Sequence, residues 1–136
     1  MNEIWIILTV RLPRSGKSTW AKKQGFPIVN PDSIRLALHG KRFIPESEDF
    51  VWAITYVMIR SLILAGHQRV IVDATHTTEK RRKPYFNKFL DCVIKTKVFD
   101  TSKKECIERA KKINDEEIIP VIERMANQFE ECESDF

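Results

Sequence analysis

Two hydrophobic periods alternate along the chain. Glu3-Ile4-Trp5-Ile6-Ile7-Leu8-Thr9-Val10 is an almost unbroken apolar run of strand length, the pattern of a strand buried on both faces. A shorter run fits a second strand at Pro27-Ile28-Val29-Asn30, Arg69-Val70-Ile71-Val72-Asp73 a third that ends in a carboxylate, and residues from about Cys92 to Phe99 a fourth. Helical patterns fill the intervals. Lys17 to Lys23 can start one, and Asp32 can cap or lead another through Ile34, Leu36, Ala37 and Leu38 to a stop at Gly40. A long helix is predicted from about Glu46 to Ala65, its buried face drawn from Phe50, Val51, Ile54, Val57, Met58, Ser61, Leu62 and Ala65, with Gly66 closing it. Further helices are expected from about Thr78 to Phe89, from Ser102 onward, and in a last segment ending near Glu131. Strands alternating with helices at these lengths imply an α/β fold with a parallel sheet and right-handed crossovers. The acidic Glu130-Glu131-Cys132-Glu133 tail is expected to fray.

One stretch carries specific chemistry. Val10-Arg11-Leu12-Pro13-Arg14-Ser15-Gly16-Lys17-Ser18-Thr19-Trp20 follows the phosphate-loop pattern G-x-x-x-x-G-K-[ST] except that Arg11 stands at the first glycine. It lies between a strand and a helix, the context the motif requires. Backbone N–H groups around Ser15 to Ser18 would form a nest for β- and γ-phosphate oxygens, helped by the positive end of the next helix. Lys17 adds a mobile charge and Ser18 offers a hydroxyl to Mg²⁺. Arg11 has two readings: its side chain points to solvent and the loop survives, or it damages nucleotide binding, because the first glycine usually permits a close approach that a side chain hinders.

Four further groups could take part. Asp32 and Arg35, three apart in Asn30-Pro31-Asp32-Ser33-Ile34-Arg35, sit past the second strand, on the side of a parallel sheet where ligands bind. A carboxylate there can accept the proton of an incoming hydroxyl while the arginine grips a phosphate; the alternative is a helix cap and a solvated arginine. Asp73, at the end of the third strand, suits Mg²⁺ contact directly or through the loop serine, and His76 in Asp73-Ala74-Thr75-His76 suits a neutral hydrogen-bonding role better than that of a base. Lys80-Arg81-Arg82-Lys83 is either a solvated basic face or an attractor for acceptor phosphates. Arg109, with Lys111 and Lys112 before the charged Asn114-Asp115-Glu116-Glu117 segment, suits a mobile lid, and a solvated helix end accounts for the same letters.

Composition narrows the frame. At 136 residues the chain fits one domain, 1–136, with enough length for a real core. No apolar run approaches a membrane span and no signal-peptide pattern opens the sequence, so a cytoplasmic location without membrane contact is expected. Cys92, Cys106 and Cys132 are odd in number and form no C-x-x-C pair, so they suggest reduced packing residues rather than a zinc or disulfide framework. A net charge of +4 hints at an anionic partner without separating nucleic acid from ATP.

Taken in order, Leu12 to Ala21, Asp32-Ser33-Ile34-Arg35, Val72-Asp73-Ala74-Thr75, Cys106-Ile107-Glu108-Arg109, Val121-Ile122-Glu123-Arg124-Met125 and Gln128-Phe129-Glu130 resemble the compact phosphate-loop kinases related to the 5′-kinase domain of phage polynucleotide kinase. The resemblance runs from Ile4 to Glu130. It implies the three-layer α/β/α P-loop kinase fold, with a parallel sheet of four or five strands and a small helical lid. It also implies transfer of the ATP γ-phosphate to a hydroxyl, in that family often a nucleic-acid 5′-OH. By position, Pro13, Arg14, Ser15, Gly16, Lys17, Ser18 and Thr19 would bind ATP, and Ser18 and Asp73 would hold Mg²⁺. Lys17, Asp32, Arg35 and Arg109 would be catalytic, with Asp32 as general base, Arg35 orienting a phosphate and Arg109 acting from the lid. The sequence departs from that family at Arg11, at Ile113 (where a second lid arginine is expected, Lys112 being the nearest substitute) and at His76, where asparagine is common. The resemblance brings no phosphatase domain with it. Three functions are compatible with the residues: a kinase of nucleic-acid 5′ ends, a small-molecule kinase on nucleosides or sugars, and a nucleotide-binding module whose catalysis is impaired.

Overall fold

The computed structural model describes residues 3–136. Strands β1 (Trp5–Val10), β2 (Ile28–Val29), β3 (Arg69–Val72) and β4 (Val93–Val98) alternate with helices α1 (Lys17–Gln24), α2 (Pro31–His39), α3 (Glu48–Leu64), α4 (Glu79–Lys88), α5 (Lys103–Lys112) and α6 (Ile119–Gln128). Short 3-10 turns at Pro45–Ser47 and Glu116–Ile118 precede α3 and α6. The strands form one parallel sheet in the order β2-β3-β1-β4.

Alternation along β1 explains the three layers. Ile6 and Leu8 join Val29, Val70 and Val72 against α2, α3 and α4, through Ile34, Trp52, Ile59, Ile63, Tyr85 and Phe89. Ile7 and Ile71 face the other way, onto Ala21 and Trp20 of α1. A smaller cluster of Leu12, Cys106, Ala110 and Ile122 fastens the α5–α6 pair beside the loop that follows β1. The fold is thus α/β with a four-stranded parallel sheet, and β1 and β3 at its centre deliver their carboxyl ends to one edge.

Three expectations are corrected here. The buried side of α3 is Val51, Trp52, Thr55, Ile59 and Ile63, whereas Phe50 and Val57 are 69% and 68% exposed. The helix is apolar nearly all round, so its period locates the helix without choosing its inner face. The acidic tail does not fray: Asp135 N–H donates to the Thr96 carbonyl at 2.8 Å, the Thr96 N–H donates to the Asp135 carboxylate, and Phe136 packs edge-on against Trp5 and Trp20. This segment covers the outer edge of β4, where a fifth strand would add. The last helix stops at Gln128, short of Glu131.

Candidate active site

The loop from Arg11 to Gly16 turns sharply between β1 and α1. Gly16 has φ +101°, a conformation open to glycine and costly for other residues, and no side chain caps α1. The first-turn N–H groups of α1 are therefore left without an intrahelical partner, as donors to an anion. Lys17 is buried and its Nζ donates to the Leu12 carbonyl at 2.7 Å and to Ser15 Oγ at 3.3 Å. Burial pushes its ammonium down to about 8, while the carboxylates of Asp73 and Asp32 act in the opposite direction. A cation held dry beside the uncapped N-terminus of a helix fits a polyphosphate.

Asp73, just past β3, joins two parts of the site. Its Oδ2 accepts from Ser18 Oγ at 2.6 Å and from Asn30 Nδ2 at 3.4 Å. Beneath it lies a buried polar chain that the sequence does not announce. Thr9 Oγ1 donates to the Ala74 carbonyl at 2.8 Å, and His76 connects the Thr9 carbonyl (Nδ1, 2.7 Å) to the Tyr85 hydroxyl (Nε2, 2.8 Å). A carbonyl only accepts, so Nδ1 carries the proton and Nε2 accepts from Tyr85. Burial holds the His76 imidazole at about 4, hence neutral. That is the hydrogen-bonding role expected of it, and its φ of +44° marks how tightly the turn after β3 is constrained.

At the neighbouring corner Asn30, not Asp32, caps α2: its side chain accepts from the Asp32 and Ser33 N–H groups, with Pro31 in the first turn. The Asn-Pro dipeptide was the available signal. Asp32 is left free of capping and 77% exposed, paired with Arg35 at 2.6 Å. Arg35 is also held by both oxygens of Glu48, at 2.9 and 2.7 Å, which orients its guanidinium from α3. Glu48 carries no motif, and nothing near it in the sequence announces this contact.

Arg109 reaches the loop from α5. Its Nη1 donates to the Arg14 carbonyl at 3.1 Å and lies 3.8 Å from where a β-carbon on Gly16 would stand; Nη2 pairs with Glu105. Ile113 is the exposed C-cap of α5 and supplies no second cation.

Arg11 does not point to solvent. Its Nε donates to the Thr101 carbonyl at 3.1 Å and its guanidinium lies 4.8 Å from the Phe129 ring centre, while Thr101 Oγ1 donates to the Ser15 carbonyl at 2.8 Å. Among the described non-glycine residues positive φ occurs at Arg14, His76 and Asn114 and not at Arg11, so the arginine is accommodated without left-handed strain. The basic run at the start of α4 is not one surface either. Arg82 is buried and donates to the carbonyls of His76 and Glu130, Arg81 lies 4.1 Å over Trp52, and Lys80 and Lys83 are exposed. A guanidinium with two backbone acceptors can be buried, and charge alone did not reveal it.

A family profile described as an AAA domain matches residues 6–132. The chain belongs to this AAA domain family. Among solved structures the AAA domain is similar to one chain of a Pnkp1/Rnl/Hen1 complex (26% identity, TM-score 0.72, covering 80% of this chain and 40% of that one). A chain of the Pnkp1/Rnl/Hen1 RNA repair complex matches at 22% identity and TM-score 0.72, covering 96% and 47%. This chain therefore spans less than half the length of those two. A gluconokinase from Sinorhizobium meliloti shares the fold at 15% identity and TM-score 0.63, covering 96% of this chain and 78% of its own. The fold of this AAA domain is that of the P-loop kinases. No described helix is long and apolar enough to cross a membrane.

Proposed function

We propose that this AAA domain is an ATP- and Mg²⁺-dependent phosphotransferase whose acceptor is the 5′-hydroxyl of a nucleic acid. The observation that carries the reading is the shared carboxylate of Asp73, which ties the phosphate loop at Ser18 to the acceptor corner at Asn30. The first-turn donors of α1 and Lys17 would bind the β- and γ-phosphates, with Pro13, Arg14, Ser15, Gly16 and Thr19 shaping the cradle. Ser18 and Asp73 are an oxygen-donor pair suited to Mg²⁺, which when bound would offset charge on the β- and γ-phosphoryl oxygens. The acceptor oxygen attacks the γ-phosphorus, the bond to the β–γ bridging oxygen breaks, ADP leaves, and Asp32 takes the hydroxyl proton. Arg35, fixed by Glu48, orients a phosphate, and Arg109 adds charge from the α5 side. The similarity to a chain of an RNA repair complex supports a nucleic-acid acceptor over a sugar.

The test is a panel of 5′-hydroxyl DNA, 5′-hydroxyl RNA, nucleosides and sugars with γ-labelled ATP, run on the wild type and on Asp32→Asn. The expected result is label on oligonucleotides, lost by about 10²- to 10⁴-fold in Asp32→Asn with ATP binding retained. Label on nucleosides or sugars alone would make the chain a small-molecule kinase. ATP-independent oligonucleotide binding without transfer would make it a non-catalytic module.

A further inference from the structure

One ion cluster beside the site shares only Arg14 with this mechanism. Asp115, just past α5, is 13% exposed and accepts from Arg14 Nη2 at 2.8 Å and from Arg42 Nη1 at 2.9 Å, with Arg42 Nη2 completing a bidentate grip. Three separate segments meet in this carboxylate: the phosphate loop, the connection between α2 and α3, and the end of α5.

The placement of Asp115 is built into the chain. Asn114 has φ +59°, its N–H bonds the Lys111 carbonyl at 3.1 Å, and the Asp115 N–H bonds the Ala110 carbonyl at 2.9 Å. These are the paired bonds that end a helix on a left-handed residue, a position asparagine tolerates. Helix α5 therefore delivers two groups to Arg14: Arg109 to its carbonyl and Asp115 to its guanidinium. Glu117 and Asp32 add weaker fields of the same sign as Asp115 on Arg42.

Two guanidiniums and one carboxylate give this three-residue cluster a net positive charge. Two oxygens of a terminal phosphoryl group can accept the same pair of parallel N–H bonds from a guanidinium, and the group carries nearly twice the charge of a carboxylate. We propose that Arg14 and Arg42 form a two-arginine fork for a phosphoryl group, and that Asp115 occupies it as an internal substitute, so that ligand and α5 compete for the same two guanidiniums. The phosphoryl class rests on the kinase reading; the fork itself does not. Ligand entry then frees the end of α5, coupling occupancy to movement of the segment that carries Arg109.

The test is calorimetric binding of tripolyphosphate, Mg²⁺–ATP and a 5′-hydroxyl oligonucleotide to the wild type, Asp115→Asn and Arg42→Gln/Asp115→Asn, with Asp115→Ser as a second variant should the amide disturb the turn. Removing the competitor should tighten tripolyphosphate about two- to five-fold, the range of an exposed ion pair, and adding Arg42→Gln should reverse the gain. Tightening of ATP places the nucleotide in the fork; tightening of the oligonucleotide places the acceptor there. Unchanged or weaker binding of all three probes in folded Asp115→Asn and Asp115→Ser overturns the proposal, as does a gain that survives Arg42→Gln. Tightening without phosphoryl transfer would remove the kinase reading alone, and transfer without tightening would remove the fork alone.

Discussion

The Ser18 hydroxyl donates to the Asp73 carboxylate across 2.6 Å, and the same oxygen accepts from Asn30. A residue of the phosphate loop and the cap of α2 are thereby fixed to one atom. Asp73→Asn keeps the shape and removes the charge. The expected outcome is a Mg²⁺ requirement for ATP binding shifted about 10- to 100-fold to higher metal, the size of effect seen when a partner that orients a metal ligand is changed. A Mg²⁺ titration of ATP binding measures it, and an unshifted curve would take Asp73 out of the metal site.

Lys17 makes a pH prediction. Burial lowers its ammonium from the ordinary 10.5 to about 8. Between those values the unfolded chain holds a proton that the folded chain has released, so this residue makes stability rise with pH across the window. Bound phosphates would favour the charged form again. Just above pH 8, Mg²⁺–ATP binding should therefore take up a fraction of a proton, visible as a dependence of the calorimetric heat on buffer ionisation enthalpy. Lys17→Met should lose the proton uptake together with most of the binding.

Arg11 stands where the phosphate-loop pattern has glycine, yet it acts as a strap: Thr101 on one side, Phe129 on the other, and through Thr101 the Ser15 carbonyl of the loop. Arg11→Gly should therefore cost stability, about 1–3 kcal/mol from a charged hydrogen bond and a cation–π contact, without strengthening ATP binding. Urea unfolding and ATP titration of the same variant decide it. A stable variant with markedly tighter ATP binding would show instead that the arginine obstructs the loop.

The order of elements, the loop and the carboxyl ends of the strands were legible because local patterns encode them. An apolar run followed by Gly16-Lys17-Ser18 leaves little choice, whereas the cap of α2 falls on Asn30 and not on the expected Asp32. What was not legible depends on contacts distant in sequence. Nothing near Arg82 says that it will be buried between the His76 and Glu130 carbonyls, and nothing near Phe136 says that it will cover Trp5 and Trp20. On α3 the failure was of another kind. Apolar residues surround the helix, so choosing Trp52 and Thr55 over Phe50 and Val57 needed the sheet to be in place. Asp115 lies in a charged segment whose letters do not announce its role, which depends on Arg42, 73 positions earlier.

His76 connects the floor of the site to the stability of the fold. Burial holds its imidazole at about 4, against an ordinary value of 6.5. Below 6.5 the unfolded chain takes up a proton that the folded chain refuses, so stability falls as pH drops from there toward 4, by about 3 kcal/mol when the difference is fully developed. Melting temperatures between neutral pH and pH 4 should decline accordingly. His76→Phe should flatten that decline while lowering stability at neutral pH, because the Thr9 carbonyl and the Tyr85 hydroxyl lose their partner, at about 1–3 kcal/mol for each group left unsatisfied. His76→Gln, which can both donate and accept, should flatten the decline at a smaller loss. A decline of unchanged steepness in both variants would assign the pH response to other groups and leave His76 a packing residue only.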